Sequence, residues 1–325
     1  MIIQRLDELA AQIDIPLEIL QRKTLDSEFK LKVPVHFAQQ IEKGNLDDPL
    51  LRQILPSIEE AQTAEGFSQD PVGDLKANPT ESLLHKYEGR ALLITSPQCD
   101  IHCRYCFRRH FPYEQAKKRH WQQALEHLAA DASIHEIILS GGDPLTLSES
   151  GLIELLHQLE QIPHLETLRL HSRTPVVAPD RANMTNWLAA LKASRFNKVL
   201  VVHCNHPNEL SNETHQTFQH YREAGVTLLN QSVLLKGVND SADTLKQLSK
   251  KLFSQGVLPY YCHLLDRVEG AAHFEVDTTP TWQIFETLRK ELPGYLVPKL
   301  VREIAGEPYK TPIHETLLAD AINQT

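Results

Sequence analysis

From residue 91 onward, short apolar runs alternate with longer amphipathic stretches. The apolar runs cover residues 91–96, 136–140, 165–171, 198–203, 226–235 and 258–265. The stretches between them, each long enough for a crossover helix, cover residues 121–130, 152–161, 182–193, 212–224 and 244–255. Repeated strand–helix units of this kind predict an α/β fold whose parallel strands are joined by right-handed crossovers. Six such units would form a partial, open version of the TIM barrel, with functional residues at the carboxyl ends of the strands.

Residues 1–85 read as helical and strand-free. Apolar residues recur at helical spacing from Leu6 to Leu20, and residues 35–41 form a second amphipathic run. The run from Asn45 to Leu50 has a capping signal and a proline near the first turn, which predict the start of another helix. We expect residues 1–85 to form a helical N-terminal cap with little chemistry of its own, and residues 86–325 to form the main domain.

Three cysteines lie on one loop directly after the first predicted strand. Cys99, Cys103 and Cys106 have the spacing C-x3-C-x2-C. Three thiolates on a tight loop can hold three irons of a [4Fe–4S] cluster and leave the fourth iron open to a ligand. A zinc site that lacks a ligand, or three unrelated buried thiols, would be the alternatives. The other two cysteines, Cys204 and Cys262, stand alone in apolar runs and are expected to pack as small buried groups.

Charge and cysteine content exclude several classes of protein. The 325-residue chain has a formal net charge of −9, which argues against a general nucleic-acid binder. It lacks a signal-peptide pattern and an apolar stretch of 18 residues, so we expect no membrane association. Cysteines available for iron fit a reducing compartment, and the expected location is cytoplasmic.

The residues that follow the first cysteines carry a family resemblance. The run Cys103-Arg-Tyr-Cys-Phe-Arg-Arg109, on the loop after the first barrel strand, resembles the radical S-adenosylmethionine (radical SAM) superfamily and, within it, the lysine 2,3-aminomutases. It is most similar to their short bacterial form, which makes β-lysine for modification of elongation factor P. The resemblance extends from about residue 47 to about residue 312. It implies a partial (β/α)6 TIM-like radical SAM barrel with an N-terminal helical segment, and a [4Fe–4S] cluster on Cys99, Cys103 and Cys106.

A glycine pair ends the second predicted strand. Two glycines let the backbone approach a ligand closely, and exposed N–H groups together with Asp143 could grip an amino acid. Alone, such a turn reads as an ordinary strand–helix connection. The resemblance implies that this segment holds the methionine part of S-adenosylmethionine, and that His203 and Gln231 contact its ribose, with His206 as a weaker candidate. The segment consists of Ser140, Gly141, Gly142 and Asp143.

A second cofactor, pyridoxal 5′-phosphate (PLP), requires one reachable lysine amine. Lys299 lies in a strand-like run, whereas Lys310 follows a loop with Gly306 and Pro308. The resemblance selects Lys310, although this chain has Gly-Glu-Pro-Tyr where the aminomutases carry several glycines, so Lys299 remains the alternative. The resemblance also implies that Arg90 and Lys86 bind the PLP phosphate, although by sequence alone both would be surface charges.

Charged residues at matching positions suggest the substrate. Arg108 can pair bidentately with a carboxylate, as its counterpart in the family does. Asp266 and Glu303 match two acidic positions that hold the ε-ammonium of lysine in the family, where the second is an aspartate. An unplaced acidic pair would ordinarily be read as surface charge. A substrate without a distal cation, such as glutamate, would leave two converging carboxylates unpaired and would be rejected.

The resemblance implies conversion of L-lysine to (R)-β-lysine. In that reaction, reduced cluster iron cleaves S-adenosylmethionine, the resulting 5′-deoxyadenosyl radical abstracts hydrogen from Cβ of PLP-bound lysine, and nitrogen migrates from Cα to Cβ. The resemblance further implies an electron donor such as flavodoxin or ferredoxin. It also implies a functional link to elongation factor P and its lysyl ligase. Three alternatives remain: an aminomutase for another amino acid, a radical SAM enzyme without PLP, and a non-enzymatic iron–sulfur sensor.

Assembly is the least constrained property of the chain. The longer clostridial-type aminomutases use cysteines for a structural zinc that helps to join their subunits. This chain has Ser241 at one of those positions and ends 15 residues after Lys310. We therefore expect that zinc to be absent, and a homodimer is only one of the assemblies open to the chain.

Overall fold

The computed structural model describes residues 1–80, 82–112 and 121–313. The N-terminal part consists of short elements: β1 (Ile2–Ile3), α1 (Leu6–Ile13), α2 (Leu17–Lys23), β2 (Val33–Pro34), α3 (Val35–Ala38) and α4 (Pro49–Arg52). The predicted start of α4 is confirmed, because Oδ1 of Asp48 accepts hydrogen bonds from the N–H groups of Leu50 and Leu51 at 2.7 and 3.0 Å.

The main sheet contains nine strands in the described residues. They are β3 (Leu83–Tyr87), β4 (Arg90–Ser96), β5 (Glu136–Gly141), β6 (Thr167–Ser172), β7 (Asn197–His203), β8 (Val226–Val233), β9 (Leu258–His263), β10 (Lys299–Arg302) and β11 (Thr311–Pro312). The remaining helices are α5 (Trp121–Ala130), α6 (Glu149–Glu160), α7 (Thr174–Val177), α8 (Pro179–Ala182), α9 (Thr185–Ala193), α10 (Asn212–Glu223), α11 (Ala242–Ser254) and α12 (Thr278–Glu291).

The strand order is β11-β10-β9-β8-β7-β6-β5-β4-β3. All neighbours from β4 to β10 are parallel, whereas β3 and β11 are antiparallel to the strands beside them. The six predicted strands and the five predicted crossover helices are all present, within a few residues of the expected bounds. The α/β class and the parallel, partial-barrel sheet are therefore confirmed. A seventh parallel strand, β10, extends the sheet at the strand-like run that begins with Lys299.

The expectation that residues 1–85 contain no strand is wrong. Strands β1 and β2 pair with each other through Ile2 and Pro34, and β3 joins the edge of the main sheet. The boundary predicted at residue 85 falls within β3, and apolar side chains of the N-terminal part, such as Phe37 and Leu51, belong to the same hydrophobic core as Leu139 and Leu200. The division into a cap and a main domain stays a prediction.

The sheet has one apolar face and one face lined with polar groups. On β6, Leu168 and Leu170 are fully buried in the helix-covered core, whereas the alternate residues Arg169 and His171 line a large cavity. This follows from the two-residue period of a strand, which sends successive side chains to opposite faces. Among the described residues, no helix combines the length and apolar composition needed to cross a lipid bilayer.

Candidate active site

One cavity of about 1010 Å³ lies against the polar face of the sheet. It lies at or above the upper end of the usual size range of ligand pockets, so it has room for more than one small molecule. Most of the predicted site residues come together here because the carboxyl ends of the parallel strands and the loops that follow them share one edge. Arg90 and Lys299 instead lie at the first positions of β4 and β10. The cavity is lined by Lys86, Arg90, Cys99, Cys103, Cys106, Arg108, Ser140, Gly141, Gly142, Asp143, His203, Gln231, Asp266, Lys299, Glu303 and Lys310.

The cysteine loop follows β4 and presents its thiols to the cavity. A tight turn, in which the Cys106 N–H donates to the Cys103 carbonyl at 3.0 Å, brings the last two cysteines together. Among the described residues, the group whose ligand atoms all lie within 4.8 Å of one another is His85, His127 and Asp131. A [4Fe–4S] cluster binds each thiolate to a different iron, so it does not require the three sulfurs to meet around one ion.

The electrostatics of the thiols also call for a cationic group. Burial, reinforced by the nearby Cys106 and Asp143, raises the pKa of Cys99 well above its ordinary value. Burial and the neighbouring Cys103 likewise raise the pKa of Cys106 to about 11. Three clustered thiolates are therefore costly here without added positive charge, and the irons of a [4Fe–4S] cluster supply that charge. The donor set fits the cluster.

The glycine pair after β5 serves the cysteine loop. The Gly142 N–H donates to the Ser96 carbonyl and the Asp143 N–H donates to the Gln98 carbonyl, both at 2.7 Å. A Cβ atom on Gly142 would lie 2.3 Å from the carbonyl oxygen of Gln98. The expectation that these N–H groups are exposed to a ligand is therefore wrong for Gly142 and Asp143. The glycines permit a close approach between two backbone segments.

The carboxylate of Asp143 is occupied by protein donors. Its Oδ1 accepts from the Ser172 hydroxyl at 2.7 Å, and its Oδ2 accepts from the Arg173 N–H at 2.7 Å and the Thr174 N–H at 3.0 Å. Asp143 thus fixes the turn between β6 and α7. Its predicted role as a cofactor ligand remains a prediction, and its visible role is to order the loops around the cavity.

His203 and Gln231 occupy neighbouring strands in register. Nε2 of His203 lies 2.9 Å from the Tyr105 hydroxyl, and burial together with the nearby Arg173 lowers the pKa of this histidine well below its ordinary value. His203 is therefore a neutral hydrogen-bonding group beside the cysteine loop. His206 differs: its Nδ1 accepts from the Asn208 N–H at 3.2 Å, and it is not part of the cavity wall.

Glu303 lies between two lysines. It forms ion pairs with Lys310 and, at 3.3 Å, with Lys86. Burial alone would raise the pKa of Glu303, but the two ammonium groups outweigh that effect and lower its pKa to about 2. The acid is therefore fully ionised, and its charge is shared by cations of the chain itself.

Asp74, which the sequence reading did not single out, links two predicted site residues. It contacts the Lys86 ammonium at 2.6 Å and the Arg108 Nε at 2.7 Å, and its own side chain is buried. Arg108 also contacts the Ser140 hydroxyl at 3.4 Å. The N-terminal region therefore contributes an acid to the site, contrary to the expectation that it carries little chemistry. The contact joins residues far apart in sequence, so no local pattern signals it.

Asp266 is the second acid of the cavity and lacks a partner on one side. Its Oδ1 atom is buried without a hydrogen bond to any described residue. Burial is the main cause that raises the pKa of Asp266 to about 7, while the charge of Lys310 acts in the opposite direction. A buried carboxyl oxygen without a partner is costly, and a hydrogen-bond donor or a cation beside it would lower that cost.

Basic residues line the other end of the cavity, at the start of the strands. The Arg90 guanidinium lies over the Tyr87 ring at 4.6 Å from its centroid. Arg169 pairs with both carboxylate oxygens of Glu136 at 2.5 and 2.6 Å and was not predicted as part of the site. Lys299, at the first position of β10, is exposed.

Comparison with known proteins places the chain in a family. Residues 93–248 match the Radical SAM superfamily. The L-lysine 2,3-aminomutase of Escherichia coli is 49% identical over 323 residues, which cover 95% of this chain and 94% of that protein. The L-lysine 2,3-aminomutase of Haemophilus influenzae is 50% identical over 285 residues, 87% of this chain and 84% of that protein. The chain belongs to the L-lysine 2,3-aminomutase family.

This aminomutase-family chain is a radical SAM enzyme of the isomerase class. The superfamily uses a [4Fe–4S] cluster and S-adenosylmethionine, which agrees with the thiol loop of the cavity. The L-lysine 2,3-aminomutase of Clostridium subterminale is 34% identical over 292 residues, which cover 87% of this chain and 68% of that protein. The family resemblance identified from the cysteine motif is thus confirmed, as is the similarity of the chain to the shorter members of the family.

Proposed function

We propose that this enzyme is a PLP-dependent lysine 2,3-aminomutase that converts L-α-lysine to β-lysine. The observation that carries the proposal is the charge distribution of the cavity. Arg108 lies next to the cysteine loop, and two acids, Asp266 and Glu303, line the same cavity beside Lys310. A ligand with a carboxylate at one end and an ammonium at the other is complementary to this arrangement.

The described residues fit PLP. Lys310 offers an amine at the cavity wall, Arg90 offers a cation for a phosphate, and His171 has a buried Nε2 atom to which no described residue hydrogen-bonds. Lys86, the second predicted phosphate ligand, is already paired with Asp74 and Glu303. When bound, PLP supplies a conjugated system that stabilises an unpaired electron on the substrate, while the cluster and S-adenosylmethionine supply the hydrogen-abstracting radical. Lys310 would hold PLP, and Lys299, exposed at the start of β10, is the alternative.

The chain's own residues bind and orient the substrate. Arg108 is held by Asp74, so its guanidinium is fixed before a carboxylate arrives, which lowers the entropic cost of binding. At the other end, the partnerless oxygen of Asp266 gains a hydrogen bond and an opposite charge from the ε-ammonium. Glutamate would leave Asp266 unpaired, and the site would reject it.

The histidines of the cavity stay uncharged. Burial and the charge of Lys310 lower the pKa of His263 to about 3, and burial lowers the pKa of His171 well below its ordinary value. They add no cation that would compete with the substrate ammonium for Asp266.

The test is anaerobic incubation of the reconstituted enzyme with L-lysine, S-adenosylmethionine, PLP and dithionite, followed by chromatography of the amino acids. Wild type should form β-lysine, and Cys103→Ala and Lys310→Ala should not. Formation of 5′-deoxyadenosine without β-lysine would contradict lysine as the substrate and point to another amino acid. An intact cluster that cleaves no S-adenosylmethionine would contradict the enzymatic proposal.

The PLP lysine has its own test. Reduction of the holoenzyme with borohydride, followed by peptide mass spectrometry, should place the pyridoxyl group on Lys310. Lys299→Ala serves as the matched control and should retain the PLP absorbance. Labelling of Lys299 would overturn the assignment.

We further propose that the product is (R)-β-lysine for modification of elongation factor P, made in the cytoplasm with electrons from a flavodoxin or ferredoxin. The proposal is supported by the resemblance to the short bacterial aminomutases and by a cluster site that needs reduced thiols. Chiral chromatography would test the configuration. Intact-mass analysis of elongation factor P, incubated with its lysyl ligase and the enzyme's product, would test the destination. An (S) product, or no added mass, would contradict it.

A further inference from the structure

Arg173, at the end of β6, contacts one of the cluster cysteines. Its Nη1 donates to the Cys103 sulfur and to the Tyr105 hydroxyl, both at 2.7 Å. Its Nη2 donates to the Gln53 side-chain oxygen at 2.7 Å and to the Glu209 carboxylate at 2.9 Å. Only 6% of Arg173 is exposed. A fully charged guanidinium therefore lies beside the thiol that would ligate iron.

Surrounding groups fix the position of this guanidinium. The backbone N–H of Arg173 donates to the Asp143 carboxylate at 2.7 Å, and Glu209 is completely buried. The Asn205 amide donates to both Gln53, at 3.0 Å, and the Tyr105 hydroxyl, at 2.7 Å. Arg173 Nε is buried without a hydrogen bond to any described residue, but the other polar groups of this network are paired, and a buried network of this kind is rigid. Arg173 thus keeps its contact with Cys103 without help from a ligand.

We propose that Arg173 is a positioning residue for the iron–sulfur cluster, which holds the Cys103 sulfur and raises the reduction potential of the cluster. One-electron reduction adds a negative charge to the cluster. A buried cation and a hydrogen bond to a ligating sulfur stabilise the reduced form more than the oxidised form. Glu209 opposes this effect in part, since its negative charge lies on the far side of the same guanidinium.

This role goes beyond aminomutase chemistry and does not depend on the identity of the substrate. The cluster must accept an electron before any S-adenosylmethionine is cleaved, and Arg173 would determine how strong a donor is needed. Because Arg173 and Glu209 carry opposite charges, loss of Arg173 and loss of the Glu209 charge must move the reduction potential of the cluster in opposite directions.

The test is a potentiometric titration of the reconstituted holoenzyme without lysine or S-adenosylmethionine, with the reduced cluster followed by electron paramagnetic resonance. Arg173→Met should lower the midpoint potential, so that the ratio of reduced to oxidised cluster at a fixed solution potential falls roughly tenfold. Glu209→Gln should raise the midpoint. Arg169→Met removes the same charge from the same cavity, but its partner is Glu136 and not a cysteine, so its midpoint should be unchanged.

An unchanged midpoint in an iron-replete Arg173→Met variant would overturn the proposal, as would shifts of the same sign in Arg173→Met and Glu209→Gln. If Arg173→Met does not retain iron, Glu209→Gln decides alone, and a midpoint equal to that of wild type or below it would overturn the proposal. Because no substrate is present, these results are independent of whether lysine is the substrate.

Discussion

Lys310 and Glu303 form an ion pair across the turn between β10 and β11. The amine predicted to carry PLP thus neutralises one of the two acids predicted to bind the substrate ammonium. Glu303 also pairs with Lys86, so two lysines share its charge. Binding of a substrate ammonium at Glu303 would therefore require one of these ion pairs to open.

The Glu303 pair makes a prediction about acid stability. Because the pKa of Glu303 is lowered from its ordinary value of 4.5 to about 2, folding favours its ionised form. The stabilisation is complete above about pH 4.5 and is lost as the pH falls toward 2. Urea unfolding at pH 6 and pH 3 should therefore show a larger loss of stability in wild type than in Glu303→Gln. Glu307→Gln, on the same turn and exposed, is the control. Equal losses in wild type and Glu303→Gln would contradict the assignment.

Asp266 predicts a pH dependence of substrate binding. Since its pKa is raised to about 7 mainly by burial, a growing fraction of the free enzyme carries a neutral carboxyl as the pH falls below 7. We expect the KM for lysine to rise between pH 8 and pH 6 in wild type. In Asp266→Asn, KM should be raised about tenfold or more at pH 8 and should change little with pH. Steady-state kinetics at several pH values would measure both, and an unaltered pH profile in the variant would rule out Asp266.

Because the Gln98 carbonyl lies close to Gly142, we expect a strong effect from adding one methyl group at this position. In Gly142→Ala, the new Cβ would overlap the Gln98 carbonyl next to Cys99, so the cysteine loop must move. We expect a loss of about 1–3 kcal/mol in the free energy of unfolding and reduced iron content after reconstitution. Gly294→Ala is the control, because its Cβ would meet nothing within 4 Å, and it should leave both properties near wild type. Normal iron loading in Gly142→Ala would contradict the coupling between the two loops.

We expect the five cysteines to fall into two groups, one that binds iron and one that does not. Single alanine variants of Cys99, Cys103 and Cys106 should lose most of the iron and the visible absorbance of the reconstituted protein. Cys204 and Cys262 are fully buried, and their alanine variants should keep the iron while losing about 1 kcal/mol of stability to small cavities. Iron analysis and thermal unfolding would separate the two groups. Full iron content in any of the first three variants would contradict the proposed ligand set.

The elements that were predictable from the sequence are those with strong local patterns. The crossover strands carry an apolar face that packs against the helices, and the helices between them have regular apolar spacing. Strand β3 was not predicted, because it is short and half of it is polar. Its only local signal was the pair Glu88-Gly89, a two-residue hairpin turn in which Gly89 has a φ of 74°.

The site was predictable where a motif or a family position marked the residue. Every site residue predicted from the sequence lines the cavity except His206, the weaker candidate, but the sequence could not show which partners these residues have. Asp74, Arg169 and Arg173 were missed, because each acts through contacts with residues distant in the chain. The predicted role of the glycine turn in cofactor binding stays a prediction, and the N–H groups of Gly142 and Asp143 bind backbone carbonyls, which only the fold reveals.

The two antiparallel strands at the margins of the sheet also affect how the molecule behaves in concentrated solution. An open parallel sheet would leave unpaired backbone groups on β4 and β10, and such borders recruit strands from other molecules. Here β3 covers one border, and β11 covers the other with only two residues, one of which, Pro312, has no N–H group to offer. In the described part of the chain, strand addition from another molecule would therefore have to occur at β3 or β11, and the two-residue β11 offers few backbone groups for it.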